Sequence, residues 1–205
     1  MMKIDFDVWD SIRGFMDDDE AKRLYSIALN AAANGPILEI GSYCGKSAYI
    51  IGFACKEKNS ILFSIDHHKG SEEQQPHEEY FDPDLFDPKL SRVNTFPFFQ
   101  ETITRTFLES TVVPIVAASN IAGKMWKTPI SMLFIDGGHS FEAARNDYLT
   151  WACHIKSNGF LVIHDIFKDP EKGGQAPWQV YKIALESGDY EELEMTKTLG
   201  VLKRK

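Results

Sequence analysis

Five short apolar runs punctuate this chain, and each one stops at a polar cluster. They occupy 37–40, 61–65, 112–117, 130–135 and 160–163, and the stretches between several of them carry helical spacing. Runs of this length are apolar at consecutive positions, so both faces of each strand must be covered. Alternation with helices supplies that cover in one arrangement, a parallel sheet sandwiched between helical layers. Two further strands, 190–196 and 199–203, close the chain as a hairpin-like pair able to add an antiparallel edge. The expected fold is therefore α/β, a Rossmann-like doubly wound, mostly parallel seven-stranded sheet with an antiparallel C-terminal edge strand.

The helices are marked in the sequence. Asp17 and Glu20 have capping-box spacing, Leu24, Ile27, Ala28 and Ala31 repeat with helical period, and Gly35-Pro36 ends the run. Others are expected at 46–56, 98–109, 141–155 and 180–186, the last with Pro177 near its start. With no internal repeat and no low-complexity linker, 1–205 is expected to form one domain. Residues 1–35 would be an N-terminal helical cap.

Composition narrows the function classes. No window approaches a membrane span, and the start, Met1 to Asp10, lacks the basic-then-apolar layout of a signal peptide. Cys44, Cys55 and Cys153 form neither a disulfide framework nor a zinc pattern, which points to a reducing, cytoplasmic setting. Net charge is -8, and the only dense basic run is Lys203 to Lys205. No nucleic-acid partner and no membrane partner are expected; a homo-oligomer is left open.

In a doubly wound sheet ligands sit beyond the carboxyl ends of the strands, near the switch in strand order. Those ends carry Glu39-Ile40-Gly41-Ser42-Tyr43-Cys44-Gly45, Asp66-His67-His68, Ser119-Asn120, Asp136-Gly137-Gly138-His139 and His164-Asp165. Gly41 permits a tight bend, Gly45 permits close approach of backbone to ligand, and the helix start that follows can hold a carboxylate. Asp66 lies roughly 20 residues beyond, the separation that places an acid on ribose hydroxyls. The spacing Gly-x-x-x-Gly is not that of dinucleotide enzymes, and Glu39 sets a negative charge where a pyrophosphate would pass. A ribose-bearing cofactor with a cationic amino acid end and no phosphate fits better, and S-adenosylmethionine is such a molecule. The competing reading is a glycine turn needed only for packing.

The segments ILEIGSYCGKSA, LFSIDHHKG and LFIDGGHSFEAARNDYLTW followed by GFLVIHD resemble class I S-adenosylmethionine-dependent methyltransferases. They are most similar to the catechol O-methyltransferase-like and macrolide-sugar O-methyltransferase group. The resemblance implies that Glu39, Gly41 and Ser42 line the methionine end of the cofactor, with Tyr43 and Gly45 completing the turn and Ser47 bonding the carboxylate. It places Asp66 on the ribose and Ser119 and Asn120 at the adenine edge. It gives Asp136 to the cofactor ammonium, to a metal ion, or to both. His139 falls where the catechol enzymes carry their catalytic lysine, and Asp165 on one of their metal-binding carboxylates. Ile166 replaces the Asn or Asp that normally completes the metal set.

His139 is the candidate base, with Asp136 as the other catalytic candidate; the alternative is a helix-start histidine bonding backbone. His164 is open to three readings: second base, metal ligand or buried structural residue. His67 and His68 flank cofactor or insertion, and His154, late in a helix, is structural. If Asp136, His139, His164 and Asp165 converge they suit a divalent ion, magnesium or manganese for oxygen ligands, zinc or iron if the imidazoles bind. The stretch 67–105 is too long for an ordinary connection and reads as an insertion, either a lid over the site or a solvated loop. Residues 167–178 should overhang the same side, with Pro177 and Trp178 as a substrate wall or a helix cap. The expected chemistry is methyl transfer to the hydroxyl of a small-molecule acceptor. The rivals are a nicotinamide-dependent reductase, a metal-dependent hydrolase or hydroxylase-like enzyme, and a non-catalytic cofactor-binding protein.

Overall fold

The computed structural model describes residues 4–138 and 140–205. A seven-stranded sheet is built from β1 (Ile37–Ile40), β2 (Leu62–Asp66), β5 (Val112–Val116), β6 (Ile130–Ile135), β7 (Ile155–Ile163), β8 (Tyr190–Glu192) and β9 (Gly200–Arg204). Its order is β5-β2-β1-β6-β7-β9-β8. The first five run parallel, β9 is antiparallel to β7, and β8 pairs antiparallel outside β9. The expected fold class is what forms, with the antiparallel pairing supplied by the C-terminal strand. A separate two-stranded ribbon, β3 (Phe86–Asp87) with β4 (Arg92–Val93), lies in the insertion.

Strand parity sorts the core into two layers. Ile37, Leu62, Met132, Phe134 and Val162 face α2 (Asp18–Ala32), α3 (Lys46–Glu57) and α4 (Phe96–Arg105), meeting Leu24, Ile27, Ile50, Ile51 and Phe99. Leu38, Ile40, Ile65, Leu133, Ile135 and Ile163 face the other way, toward α6 (Phe141–Trp151) and α7 (Ala176–Glu186), where Trp151, Val180 and Tyr181 wait. The four-residue β1 is buried at every position because it has a layer on each side. The capping box at Asp17 and Glu20 forms as expected and starts α2.

Several boundaries differ from the sequence reading. A short helix α1 (Phe6–Asp10), capped by Asp5, occupies the acid-and-apolar start and buries Trp9. The helix expected at 98–109 begins earlier and ends earlier, since Pro97 suits a first turn. The helix expected at 141–155 stops at Trp151, releasing Ile155 into β7. Ser119 and Asn120 open a one-turn helix, α5 (Ser119–Ala122). Among the described residues no helix is long and apolar enough to cross a membrane.

The chain travels outward from β1 through β2 to β5 and then returns to β6, so the order reverses between β1 and β6. There the backbones converge. Gly41 follows β1 at φ 87°, and a Cβ on it would sit 2.0 Å from the Asp136 carbonyl oxygen that follows β6. Only glycine allows both the conformation and the approach.

Candidate active site

At that reversal the carboxyl ends of the parallel strands surround one cavity of about 450 Å³. Gly41, Ser42 and Tyr43 enter it from β1, Asp66 and His67 from β2, and Ala117 to Asn120 from β5. Asp136 to Gly138 and Asp165 complete the floor from β6 and β7. Arg13 to Met16 and Gly70 to Gln74, the latter from the insertion, line it as well. The two segments are tied together: Arg13 pairs with Asp82 and Asp84, and the Phe15 ring meets the Tyr80 ring edge-on at 5.6 Å.

Asp66 organises the first turn. Its Oδ2 accepts from the backbone N–H groups of Ser42 at 3.0 Å and Tyr43 at 2.9 Å, and its Oδ1 from that of His68 at 2.7 Å. A carboxylate has about four lone-pair sites, so roughly one stays open toward the cavity. Ser42 is buried, lines the cavity, and its Oγ has no partner among the described residues. A buried hydroxyl left unpaired in a cavity wall is a position that a bound polar group satisfies.

Glu39 does not reach the cavity. It shares parity with Ile37, so it points beneath α3, fully buried, its oxygens accepting from Ser47 Oγ at 2.5 Å and Ser64 Oγ at 2.6 Å. Ser64 is its cross-strand neighbour in register. Burial pushes its pKa up to about 7, against the two serine bonds. It supports the turn from below, which corrects the expectation that it lines the methionine end. Gly45 is likewise displaced from the cavity; at φ 91° it caps α3 and lies against Phe99 and Thr102. Ser47 does line the cavity, with its hydroxyl proton committed to Glu39.

His164 is held from both sides. Its Nδ1 meets Asp136 Oδ1 at 3.1 Å, with Asp165 Oδ1 at 3.5 Å, and its Nε2 meets Glu20 Oε2 at 3.1 Å. Burial alone would lower its pKa, but Asp136, Glu20 and Asp165 outweigh it and hold it at about 11. The ring is an imidazolium donating from both nitrogens. Glu20 Oε1 accepts in addition from Thr198 N–H and Oγ1, each at 2.7 Å. Burial would raise Glu20, yet the bonds from His164 and Thr198 bring it down to about 2. Sequence spacing marked Glu20 only as a capping residue; its partner lies at the far end of β7. The available signal was parity: His164 continues the Phe160 and Val162 face, which packs on α2.

Ligand atoms of Asp136, His164 and Asp165 lie within 4.8 Å of one another, so three of the four residues named for a divalent ion do converge. His139, named as base, lies outside the described residues. His164 is one of the three, with its Nδ1 turned to Asp136 and its Nε2 to Glu20. Trp178 stacks on Tyr181 and takes Lys168 and Lys182 over its ring, Pro177 lies in the first turn of α7, and neither lines the main cavity. His68 is buried between Phe96 and Phe99 with Nδ1 on Thr95 Oγ1, away from the cavity. His154 packs beside Trp151.

Residues 38–166 match the family described as "Methyltransferase domain", which is more than half of the chain. The chain belongs to this methyltransferase family. Among solved structures, the methyltransferase is similar to one from Podospora anserina with S-adenosylhomocysteine bound, at 15% identity, TM-score 0.66, covering 98% of this chain and 87% of that one. It is also similar to an O-methyltransferase from Bacillus cereus in complex with S-adenosylhomocysteine (11%, 0.65, 93% and 83%). A third is the O-methyltransferase TomG from Streptomyces achromogenes, of tomaymycin synthesis, in complex with S-adenosylmethionine (14%, 0.62, 93% and 81%). At these identities the likeness is one of fold.

Proposed function

We propose that this methyltransferase moves a methyl group from S-adenosylmethionine to a hydroxyl oxygen of a small-molecule acceptor. The observation that carries the reading is the cavity at the β1/β6 reversal, with Asp66 at the β2 end and Asp136 and Asp165 gathered at the other side. The open position on Asp66 suits a ribose hydroxyl, Ser42 and Tyr43 frame the methionine arm, and Ser47 and the start of α3 face its carboxylate. Asp136 and Asp165 compensate the cofactor's positive charges. Family membership sets aside the reductase and hydrolase alternatives.

His164, fixed between Glu20 and Asp136, is a positioning residue: it holds the Asp136 carboxylate at one angle and keeps the cluster from excess negative charge. The carboxylates of Asp136 and Asp165 fit a magnesium or manganese ion, which binds oxygen ligands and keeps several waters. Such an ion would lower the acceptor hydroxyl pKa and fix its orientation. Zinc or iron, which would call on the imidazole, fits less well. His139 is the proposed base for the hydroxyl proton. Residues 1–205 act as one domain, with 1–35 as a helical cap and 67–105 as a lid, supported by Gly70 to Gln74 lining the cavity and by the Arg13 ion pairs.

Calorimetry with S-adenosylhomocysteine and NAD tests the assignment: the first should bind and the second should not. NAD binding without S-adenosylhomocysteine binding overturns it. For the base, His139→Ala should lower turnover ~10²–10⁴-fold with cofactor affinity kept; near-normal turnover removes His139 from that role.

A further inference from the structure

The insertion leaves the sheet and returns to it through a buried neck. It departs after β2 at His68 and comes back at Thr95, the residue before α4. There the Thr95 N–H donates to the His68 carbonyl at 3.2 Å, and His68 Nδ1 lies 2.7 Å from Thr95 Oγ1. Both residues are buried. Thr95 stands at the N-cap of α4, where a threonine hydroxyl ordinarily accepts from the first N–H groups of the helix, and here it makes no such bond. The hydroxyl goes to His68 instead. His68 itself holds a left-handed backbone, φ 56°, which few residues other than glycine adopt. Such a local cost persists only where the surroundings over-determine it.

The surroundings that fix His68 run to Asp66. The His68 N–H donates to Asp66 Oδ1, and the other oxygen of that carboxylate takes the N–H groups of Ser42 and Tyr43. Tyr43 and Cys44 belong in turn to the small core under the insertion, with Phe81, Leu85 and Val93. Both attachments of the insertion, its neck and its packing on the first turn, therefore meet at one carboxylate. The cavity-lining part of the insertion, Gly70 to Gln74, begins two residues after His68, so any movement of His68 carries into the cavity wall. A ligand hydroxyl on Asp66 orders the carboxylate and lowers the entropy cost of ordering what is bonded to it. The His68–Thr95 contact carries that order to the far end of the insertion.

We propose that His68 and Thr95 are positioning residues that transmit occupation of Asp66 to the insertion, setting the lid over the cavity when the cofactor binds. This rests on the S-adenosylmethionine reading. Hydrogen exchange on the full chain, without and with saturating S-adenosylhomocysteine, tests it at the bonded amides of Tyr80, Phe81, Leu85 and Asn94. In the wild type the ligand should slow these by about tenfold or more, within the usual range of coupling between sites, together with the amides of Ser42 and Tyr43. Thr95→Val keeps the side-chain shape and removes the hydroxyl. It should retain the slowing at Ser42 and Tyr43 but cut it below about threefold in the insertion. His68→Gly, which suits the left-handed backbone but lacks the ring, should behave as Thr95→Val does. Thr95→Ser, which keeps the hydroxyl, should behave as the wild type. Slowing confined to Ser42 and Tyr43 in the wild type overturns the proposal whether or not the variants fold. Full slowing of the insertion in a folded Thr95→Val or His68→Gly overturns it too, as does its loss in Thr95→Ser. Failure of the wild type to bind S-adenosylhomocysteine overturns the cofactor reading itself and this inference with it.

Discussion

Glu20→Gln keeps the shape of a buried side chain and removes its charge. The carboxylate accepts from four groups: Thr198 N–H, Thr198 Oγ1, His164 Nε2 and the Asp17 N–H of the capping box, the last at 3.3 Å. The glutamine must turn its NH₂ toward either Thr198 or His164, and both sites offer donors. The His164 cation also loses its one buried counter-charge, keeping only the partly exposed Asp136 and Asp165. Removing one partner of a buried ion pair costs ~3–5 kcal/mol, whereas an exposed pair is worth about 0–1 kcal/mol. Glu20 belongs to the first class, with side-chain exposures of 2% for His164 and 4% for Glu20. Urea unfolding at pH 7 should therefore show a loss near ~4 kcal/mol with an unchanged m-value. His164→Asn should be costly by itself, and the double variant should lose clearly less than the sum, because each single change strands the other partner. A loss below about 1 kcal/mol, or strict additivity, would refute the argument that a buried charge pair ties α2 to the end of β7.

Other consequences can be measured independently. Because the His164 pKa is raised from 6.5 to about 11, its stabilisation is complete below pH 6.5 and drains away as pH rises toward 11. Glu20, lowered from 4.5 to about 2, contributes fully above pH 4.5 and loses its contribution toward pH 2. Wild-type stability should thus decline between pH 7.5 and 9.5, above the range in which Glu39 titrates at about 7, and His164→Asn should lack that decline. Gly41→Ala should lose more than ~4 kcal/mol or fail to fold, checked by thermal melting, since its Cβ would press on the Asp136 carbonyl; a mild effect refutes the close approach. Asp66→Ala should weaken S-adenosylhomocysteine binding by ~1.5–3 kcal/mol in calorimetry and also lower the melting temperature, because three backbone N–H groups lose their acceptor; unchanged affinity removes Asp66 from the site.

What the sequence determined was everything that repeats or sits at a fixed offset. Apolar runs such as 130–135, too short for helices and bounded by polar clusters, allow little except strands buried on both faces, and their alternation with helices allows little except a parallel sheet. Because ligands in such sheets gather where strands end, Asp66, Asp136 and Asp165 could be named before their neighbours were known, and the Asp17–Glu20 spacing announced its capping box. What tertiary structure decided was which side chains turn toward the cavity and what they meet there. Glu39 and Ser42 lie three residues apart, yet strand parity buries one beneath α3 while the turn delivers the other to the cavity wall. The buried partner of His164, Glu20, comes from an element distant in the chain, and no local spacing encodes such a meeting. Period and offset are properties of one segment. Charge compensation in a buried site belongs to several segments at once, so it exists only after they have packed.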